Sequence, residues 1–298
     1  MLIHIGYHKT GTTWFQKTFF KEHSQLTTPF SYEEIVEKIV YPHSLHFNGN
    51  STKIFFEDKI QECLQKGETS VLSSERLSGN PHSGGYDSKE IADRLYEVFP
   101  KAKIWIVIRN QIDIIASNYK QYVREGGTGT VRNYLKGDPP ERIPSFSLQH
   151  FEYFYLIKYY QDLFGKENVM VSLYEDFKSN PNGLIKDLCK FIGINQEFNY
   201  SQNKSLVNKS FSDLSIKILR PTNIFNYYPS MAQYPVINLP GRFLLRRSLR
   251  VMDKAVGKQV AKNTIKNEVR EIIGNYYEES NNELSKLLNI NLHEKGYM

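Results

Sequence analysis

The chain has 298 residues, of which 40% are hydrophobic and 13% aromatic, and a formal net charge of +6. That length allows one large domain or two small ones, and the apolar content excludes a disordered or fibrous chain. The cationic excess favours an anionic partner (nucleotide, acidic glycan, nucleic acid or membrane surface) without choosing among them.

In chain order, Leu2 to Ile5 is predicted as a short buried strand that enters a glycine-rich turn, and Thr12 to Lys21 as a helix. Residues 31–39 predict a short helix with a capping box, Ser31 at the N-cap and Glu34 three later. Residues 40–52, holding Pro, His, Asn and Gly, predict a loop. Val71 to Ser74 predicts a second buried strand ending at Glu75, followed by a loop with Gly79, Pro81, Gly84 and Gly85. Asp87 or Ser88 caps a helix to about Val98. Lys103 to Ile108 is apolar and too short for a helix, hence a strand. A helix follows over 111–124, with Ile112, Ile115 and Tyr119 on one face, then a long loop over 125–146. Ser147 to Phe164 predicts an aromatic helix and Asn168 to Leu173 a strand. Asn180 and Pro181 open a helix to about Ile192. Beyond residue 200 the pattern is helical, with a start near Ser212.

Alternating short buried strands and helices predict an α/β fold whose parallel sheet is covered on both faces. Ligands of such sheets sit at the carboxyl ends of the strands. The organisation expected is a single domain over 1–298, with a core over 1–200 and a helical, basic extension over 201–298. Two cysteines, Cys63 and Cys189, cannot build a disulfide framework or a Cys-rich metal site, and a reducing compartment is the simpler expectation. No apolar run approaches the roughly 18 residues of a membrane span, and the N-terminus lacks a signal-like pattern. A cytoplasmic protein is expected.

The segment Gly6-Tyr7-His8-Lys9-Thr10-Gly11-Thr12-Thr13-Trp14 has the spacing of a phosphate-binding loop, directly after a strand and before a helix. Loop amides and the positive helix end favour an anion. Thr12 stands where a nucleoside triphosphatase keeps its lysine, and the lysine has moved into the loop as Lys9. That argues against metal-assisted phosphoryl transfer. His8, beside Lys9, is a candidate base or a helper of the anion site.

Lys9-Thr10-Gly11-Thr12-Thr13-Trp14 resembles the 5′-phosphosulfate loop of sulfotransferases that use 3′-phosphoadenosine 5′-phosphosulfate (PAPS). Ile106-Val107-Ile108-Arg109-Asn110 with Ser117 resembles that family's 3′-phosphate motif, a strand ending in arginine with a serine about two helical turns on. Tyr174-Glu175-Asp176-Phe177 with Asn180-Pro181, and the ending from Tyr276-Tyr277 to Gly296-Tyr297, resemble further stretches of bacterial members and read as structural. The resemblance implies a three-layer P-loop-type fold and sulfuryl transfer from PAPS, leaving adenosine 3′,5′-bisphosphate, with no metal required. Lys9 would be the leaving-group cation, and Thr10, Gly11, Thr12, Thr13 and Trp14 would complete the donor cradle. Glu75, at the strand end, is the leading candidate for the base, or else caps the next turn or pairs with Arg76. No Gly-rich third nucleotide segment is visible; Lys204, Lys209 and Ser210 occupy roughly its place.

Residues 204–266 carry twelve Lys/Arg against two acids, Asp213 and Asp253, so the rest of the chain is net acidic. Arg242, Arg246, Arg250, Lys254, Lys258 and Lys262 recur every four residues beside Leu245, Leu249, Met252, Val256 and Val260, as in a basic amphipathic helix. Such a segment suits an anionic membrane surface, giving peripheral attachment at the inner membrane face through 242–262, or an acidic or lipid-linked glycan acceptor. No nucleic-acid module is visible. The acceptor expected is a hydroxyl of a bacterial surface or capsular saccharide. The alternatives are a lipid- or small-molecule-directed sulfotransferase, a P-loop kinase using ATP and a non-catalytic binding protein.

Overall fold

The computed structural model describes residues 1–137, 144–195, 198, 211–225, 241–255 and 264–297. Lys204, Lys209, Ser210, Val256, Lys258, Val260 and Lys262 lie outside the described residues. The chain divides into two compact units. The first comprises Met1–Asn110, Gln149–Leu206 and Tyr277–Met298, and the second Gln111–Leu148 and Val207–Tyr276.

The first unit holds a five-stranded sheet: β1 (Leu2–Gly6), β2 (Leu26–Thr27), β3 (Thr69–Ser73), β4 (Lys103–Ile108) and β5 (Val169–Leu173). The order is β2-β3-β1-β4-β5 and every pair is parallel. Ile3 of β1 registers with Leu72 of β3 and with Ile104 of β4. Parallel neighbours need crossovers, and helical crossovers cover both faces, which is why β1 and β4 are buried along nearly their whole length. This is the α/β arrangement that the sequence predicts.

The helical run after β1 spans Thr12–Trp14, a π turn over Phe15–Phe19, and Phe20–Glu22. One wide turn brings Phe15 and Phe20, five apart, to the same inward face; both are fully buried. With Trp14, Phe19 and Trp105 they form an aromatic core under the sheet, closed by Leu184, Ile185 and Leu188 of the helix Pro181–Ile192. That helix starts where its sequence says: Asn180 Oδ1 accepts from the Gly183 amide at 3.0 Å, with Pro181 at the first position. The Ser31 capping box is likewise present.

The structure differs from the sequence reading in several places, among them the edge strand β2 and the short helix Tyr174–Ser179, neither of which the sequence reading predicts. A helix fills Gly49–Gln65, where a loop is predicted to 52; Asn48 caps it, accepting from Ser51 at 2.9 Å. Only four of its residues are buried, so its sequence carries little periodicity. A short helix, Val131–Lys136, capped by Thr130, interrupts the loop predicted over 125–146; six residues are too few to show a period. The strand β3 stops at Ser73, and Glu75 opens a 3₁₀ turn, Glu75–Ser78, rather than ending the strand. Asp87 precedes the helix Ser88–Val98 without capping it, because its carboxylate takes Arg76 at 2.6 Å and the Asn80 amide at 3.2 Å. The aromatic helix begins at Tyr153 and runs to Phe164, after a 3₁₀ turn over Leu148–Phe151.

Two segments read as structural meet in the first unit. Glu175 accepts from the Asn110 amide at 3.2 Å and from the Tyr297 hydroxyl at 3.0 Å, while Lys295 pairs with Asp176 at 2.7 Å. The carbonyl of Gly296 also accepts from the Asn110 side chain. The chain's ending thereby fixes Asn110, two residues past β4.

Within the sheet, His4 stacks on Trp105 with ring centroids 4.3 Å apart, and its Nδ1 lies 2.8 Å from Ser73 Oγ. Complete burial pushes its pKa down to about 3. His150, buried in the same unit, is pushed down to about 4, again chiefly by burial. Both stay neutral when the unfolded chain would protonate them near 6.5. Their stabilising contribution is therefore complete above about pH 6.5 and falls as pH drops towards 4, by up to about 1.4 kcal/mol per pH unit for each histidine. Urea midpoints measured from pH 7.5 to 4.5 should fall accordingly, and less steeply in His4→Gln. Tyr297→Phe should cost about 1–2 kcal/mol by urea unfolding, because it leaves a Glu175 oxygen without its donor.

Candidate functional site

The loop from Gly6 to Gly11 is closed by its own chemistry. Thr10 Oγ1 donates to the Tyr7 carbonyl at 2.6 Å, and the Tyr7 amide extends the ladder to Val107 at 3.1 Å. Gly6 is required because a Cβ there would run into Thr12 Oγ1. Gly11 is required because its φ is +90° and a Cβ would press on Tyr174 at 3.3 Å and Phe177 at 3.4 Å. Lys9 adopts φ 70°, a left-handed conformation that non-glycine residues rarely take and that is characteristic of functional loops. The helical run then begins at Thr12, and the amides of Thr12 and Thr13 have no intrahelical acceptor at such a start.

A second strand end holds this loop. Arg109, one residue past β4, donates from Nη1 to the Lys9 carbonyl at 3.0 Å, and its guanidinium lies 4.8 Å from the centre of the Tyr174 ring. The Arg109 carbonyl accepts from the Tyr153 hydroxyl at 2.6 Å. Lys9 and Arg109 are thus gathered at the carboxyl edge of the sheet, where two positive charges and a row of loop amides can receive an anion. Thr12 Oγ1 is buried there without a hydrogen-bond partner, an atom a phosphate or sulfate oxygen could satisfy. Thr13 is half-buried beside it. Trp14 is buried and packs against Phe177 at 5.0 Å and Phe198 at 6.0 Å.

Glu75 stands at the same sheet edge, half-buried, two residues past β3. The ion-pair partner of Arg76 is Asp87 rather than Glu75. His8 is set among Lys9, Arg76, His82 and His150, and burial together with these neighbours holds its pKa well below the usual imidazole value. Its Nδ1 is buried without a hydrogen-bond partner. Burial and the neighbouring cations disfavour its protonated form, so this imidazole is neutral at neutral pH and a weak proton acceptor. Ser117 lies half-buried on the helix Gln111–Arg124 of the second unit. Lys209 and Ser210 are outside the described residues. Among the described residues no three His, Cys, Asp or Glu side chains come together as a metal site.

A cavity of about 270 Å³ opens beside the loop within the first unit. Tyr7, Tyr155 and Tyr159 give it aromatic walls, and Lys89, His150 and Glu152 give it polar ones. His150 Nε2 is buried and without a hydrogen-bond partner. Sequence reasoning missed Glu175, Tyr153, His82 and His150. Only Glu175 carried a signal, lying in a motif that reads as structural; the others are ordinary aromatic and loop residues until the fold assembles them.

Comparison with known proteins follows the same line. The family model described as "Sulfotransferase domain" matches residues 1–286. Among solved structures, a sulfotransferase from Alicyclobacillus acidocaldarius is 24% identical, with a TM-score of 0.51, over 75% of this chain and 92% of its own. A sulfotransferase domain of the olefin synthase of Synechococcus PCC 7002 is 10% identical, with a TM-score of 0.43, over 84% and 94% of the two chains. No curated protein sequence matches significantly. A match over nearly the whole length, on a sheet and loop of this geometry, makes the chain a member of the sulfotransferase domain family.

Proposed function

We propose that this sulfotransferase takes its sulfuryl group from PAPS and passes it to a hydroxyl of a saccharide. The carrying observation is the loop itself: Lys9 at positive φ, its carbonyl held by Arg109, at the end of the central strands. Lys9 and the loop amides would carry the charge that develops on the leaving 5′-phosphate, with Thr10 and Gly11 shaping the cradle and the Thr12 and Thr13 hydroxyls completing it. Arg109 and Ser117 are assigned to the 3′-phosphate, as the family motif implies, and Lys209 or Ser210 to its remaining oxygens. Trp14 is assigned to the donor's nucleotide side.

The transfer breaks the bond from sulfur to the phosphate oxygen and forms one from sulfur to the acceptor oxygen. The acceptor's proton goes to a base, and the products are a sulfate ester and adenosine 3′,5′-bisphosphate. Glu75 is the proposed base because it stands at the edge shared with Lys9 and Arg109. His8 is the second candidate, supported by its place beside Lys9 and its unpartnered Nδ1, although burial and the facing cations weaken it as a proton acceptor. The cavity beside Tyr7 supports the saccharide reading: tyrosine faces suit the apolar face of a sugar ring, and Ser88, Gln149 and Glu152 suit its hydroxyls. A cytoplasmic setting accords with the free, buried Cys63 and Cys189. No helix among the described residues is long and apolar enough to cross a membrane.

Lys9→Ala should leave the fold intact and lower turnover by at least about a hundredfold, the usual scale for one charge-stabilising donor. Glu75→Gln should slow turnover more than it weakens donor binding, and a larger loss in His8→Asn would transfer the base role to His8. Adenosine 3′,5′-bisphosphate should raise the melting temperature; stabilisation by ATP–Mg²⁺ alone would instead favour a kinase. Labelled PAPS offered to surface glycans, lipids and phenols should mark the saccharides. With the acceptor so identified, Tyr155→Ala should raise its KM roughly fivefold, the loss of one stacking face, at unchanged donor KM.

A further inference from the structure

The helix Arg242–Ala255 of the second unit has two unlike faces. Leu249 is buried on the inner face, with Leu245 and Met252 half-buried beside it. The helix's one acid, Asp253, is used internally: it accepts from the Ser212 amide at 3.0 Å and from Ser215 Oγ at 2.7 Å. Arg246 also turns inward and donates to the Arg124 carbonyl. The four-residue spacing of cations read from the sequence therefore does not make one basic stripe. Four residues advance an α-helix by about 400°, so each successive cation is rotated about 40° from the last.

The outer face has a different composition. At about 100° per residue, Phe243, Leu244, Arg247, Arg250, Val251 and Lys254 fall within an arc of about 120°. All six are exposed. Phe243, Leu244 and Val251 stand 74%, 67% and 60% open to solvent. Three cations and three large apolar side chains share this face, without an acid among them.

We infer that this face docks on the surface of an anionic phospholipid bilayer. A soluble polyanion would meet the cations but leave the apolar side chains in water. A second copy of this helix would set cations against cations. A bilayer interface satisfies both sets at once: guanidinium and ammonium groups meet lipid phosphates, while the Phe243, Leu244 and Val251 side chains enter the headgroup–acyl boundary. This is independent of which donor or acceptor the enzyme uses.

The test is cosedimentation of the full chain with vesicles of phosphatidylcholine alone and of phosphatidylcholine with phosphatidylglycerol at about three to one. Binding is expected to the anionic vesicles and to weaken with salt. The variant Phe243→Ser/Leu244→Ser/Val251→Ser should lose roughly tenfold in partitioning, and so should Arg247→Ser/Lys254→Ser, with circular dichroism unchanged because every altered side chain is exposed. Equal binding to both vesicle types, or to neither, overturns the inference. So does an apolar triple variant that binds vesicles as the parent does, or a parent that binds heparin and ignores vesicles. The last result would assign the face to a soluble polyanion.

Discussion

The hydrogen bond from Arg109 to the Lys9 carbonyl ties the end of one central strand to the loop that leaves its neighbour. Lys9 sits at φ 70°, a conformation that costs an ordinary residue about 1 kcal/mol or more and persists only when its surroundings fix it. The fixing comes from both sides: Thr10 closes the loop onto the Tyr7 carbonyl, and Arg109 holds the strained carbonyl from outside. Arg109 is itself fixed, by the Tyr153 hydroxyl on its carbonyl and the Tyr174 ring beneath its guanidinium. Next to it, Asn110 is held by Glu175 and by the carbonyl of Gly296. A residue near the chain's end thus supports a loop at its beginning, through a strand end and a short helix.

The two sides of this edge have opposite physics. Below the loop lies a dry aromatic cluster in which Phe15 touches Trp105 and Phe177 at ring centroids of 4.7 Å each. It sets the helix start firmly enough for the Thr12 and Thr13 amides to keep their direction. Beside the loop lies a polar pocket of imidazoles and the Arg76–Asp87 pair. Buried histidines among cations stay neutral and resist protonation, so no imidazolium is added to the positive charge of Lys9 and Arg76. Keeping these groups apart from bulk water raises the value of each electrostatic contact and makes the unfolded chain the better proton binder in acid.

The net charge of +6 divides unevenly. A few cations, Lys9 and Arg109 among them, gather at the carboxyl edge of the sheet in the first unit. Many others fall in 204–266, where the described helix turns Arg246 inward and sets Arg247, Arg250 and Lys254 among exposed phenylalanine, leucine and valine. Composition by itself suggests only the sign of a partner. Rotation about the helix axis separates the inward arginine from the exposed mixed face.

Much of the fold was legible in the chain because it rests on local rules. Short buried strands alternate with capped helices, Ser31 and Asn180 cap as their sequences say, and Gly6 to Trp14 spells a loop whose glycines have steric reasons to be there. The helix Gly49–Gln65 was not legible, since few of its residues face the core and its pattern is nearly flat. Nor was the choice of Asp87 as partner of Arg76, because the two lie eleven residues apart and meet only once the loop between them has folded. The sequence alone determined the parallel sheet, the glycine-bounded loop after β1 and the strand-end arginine, all consequences of spacing and burial along short segments. Tertiary structure alone decided the Glu175 hub, the neutral histidine cluster and the inward turn of Arg246 onto the Arg124 carbonyl. Each depends on residues far apart in the chain, and no local pattern records which of them meet.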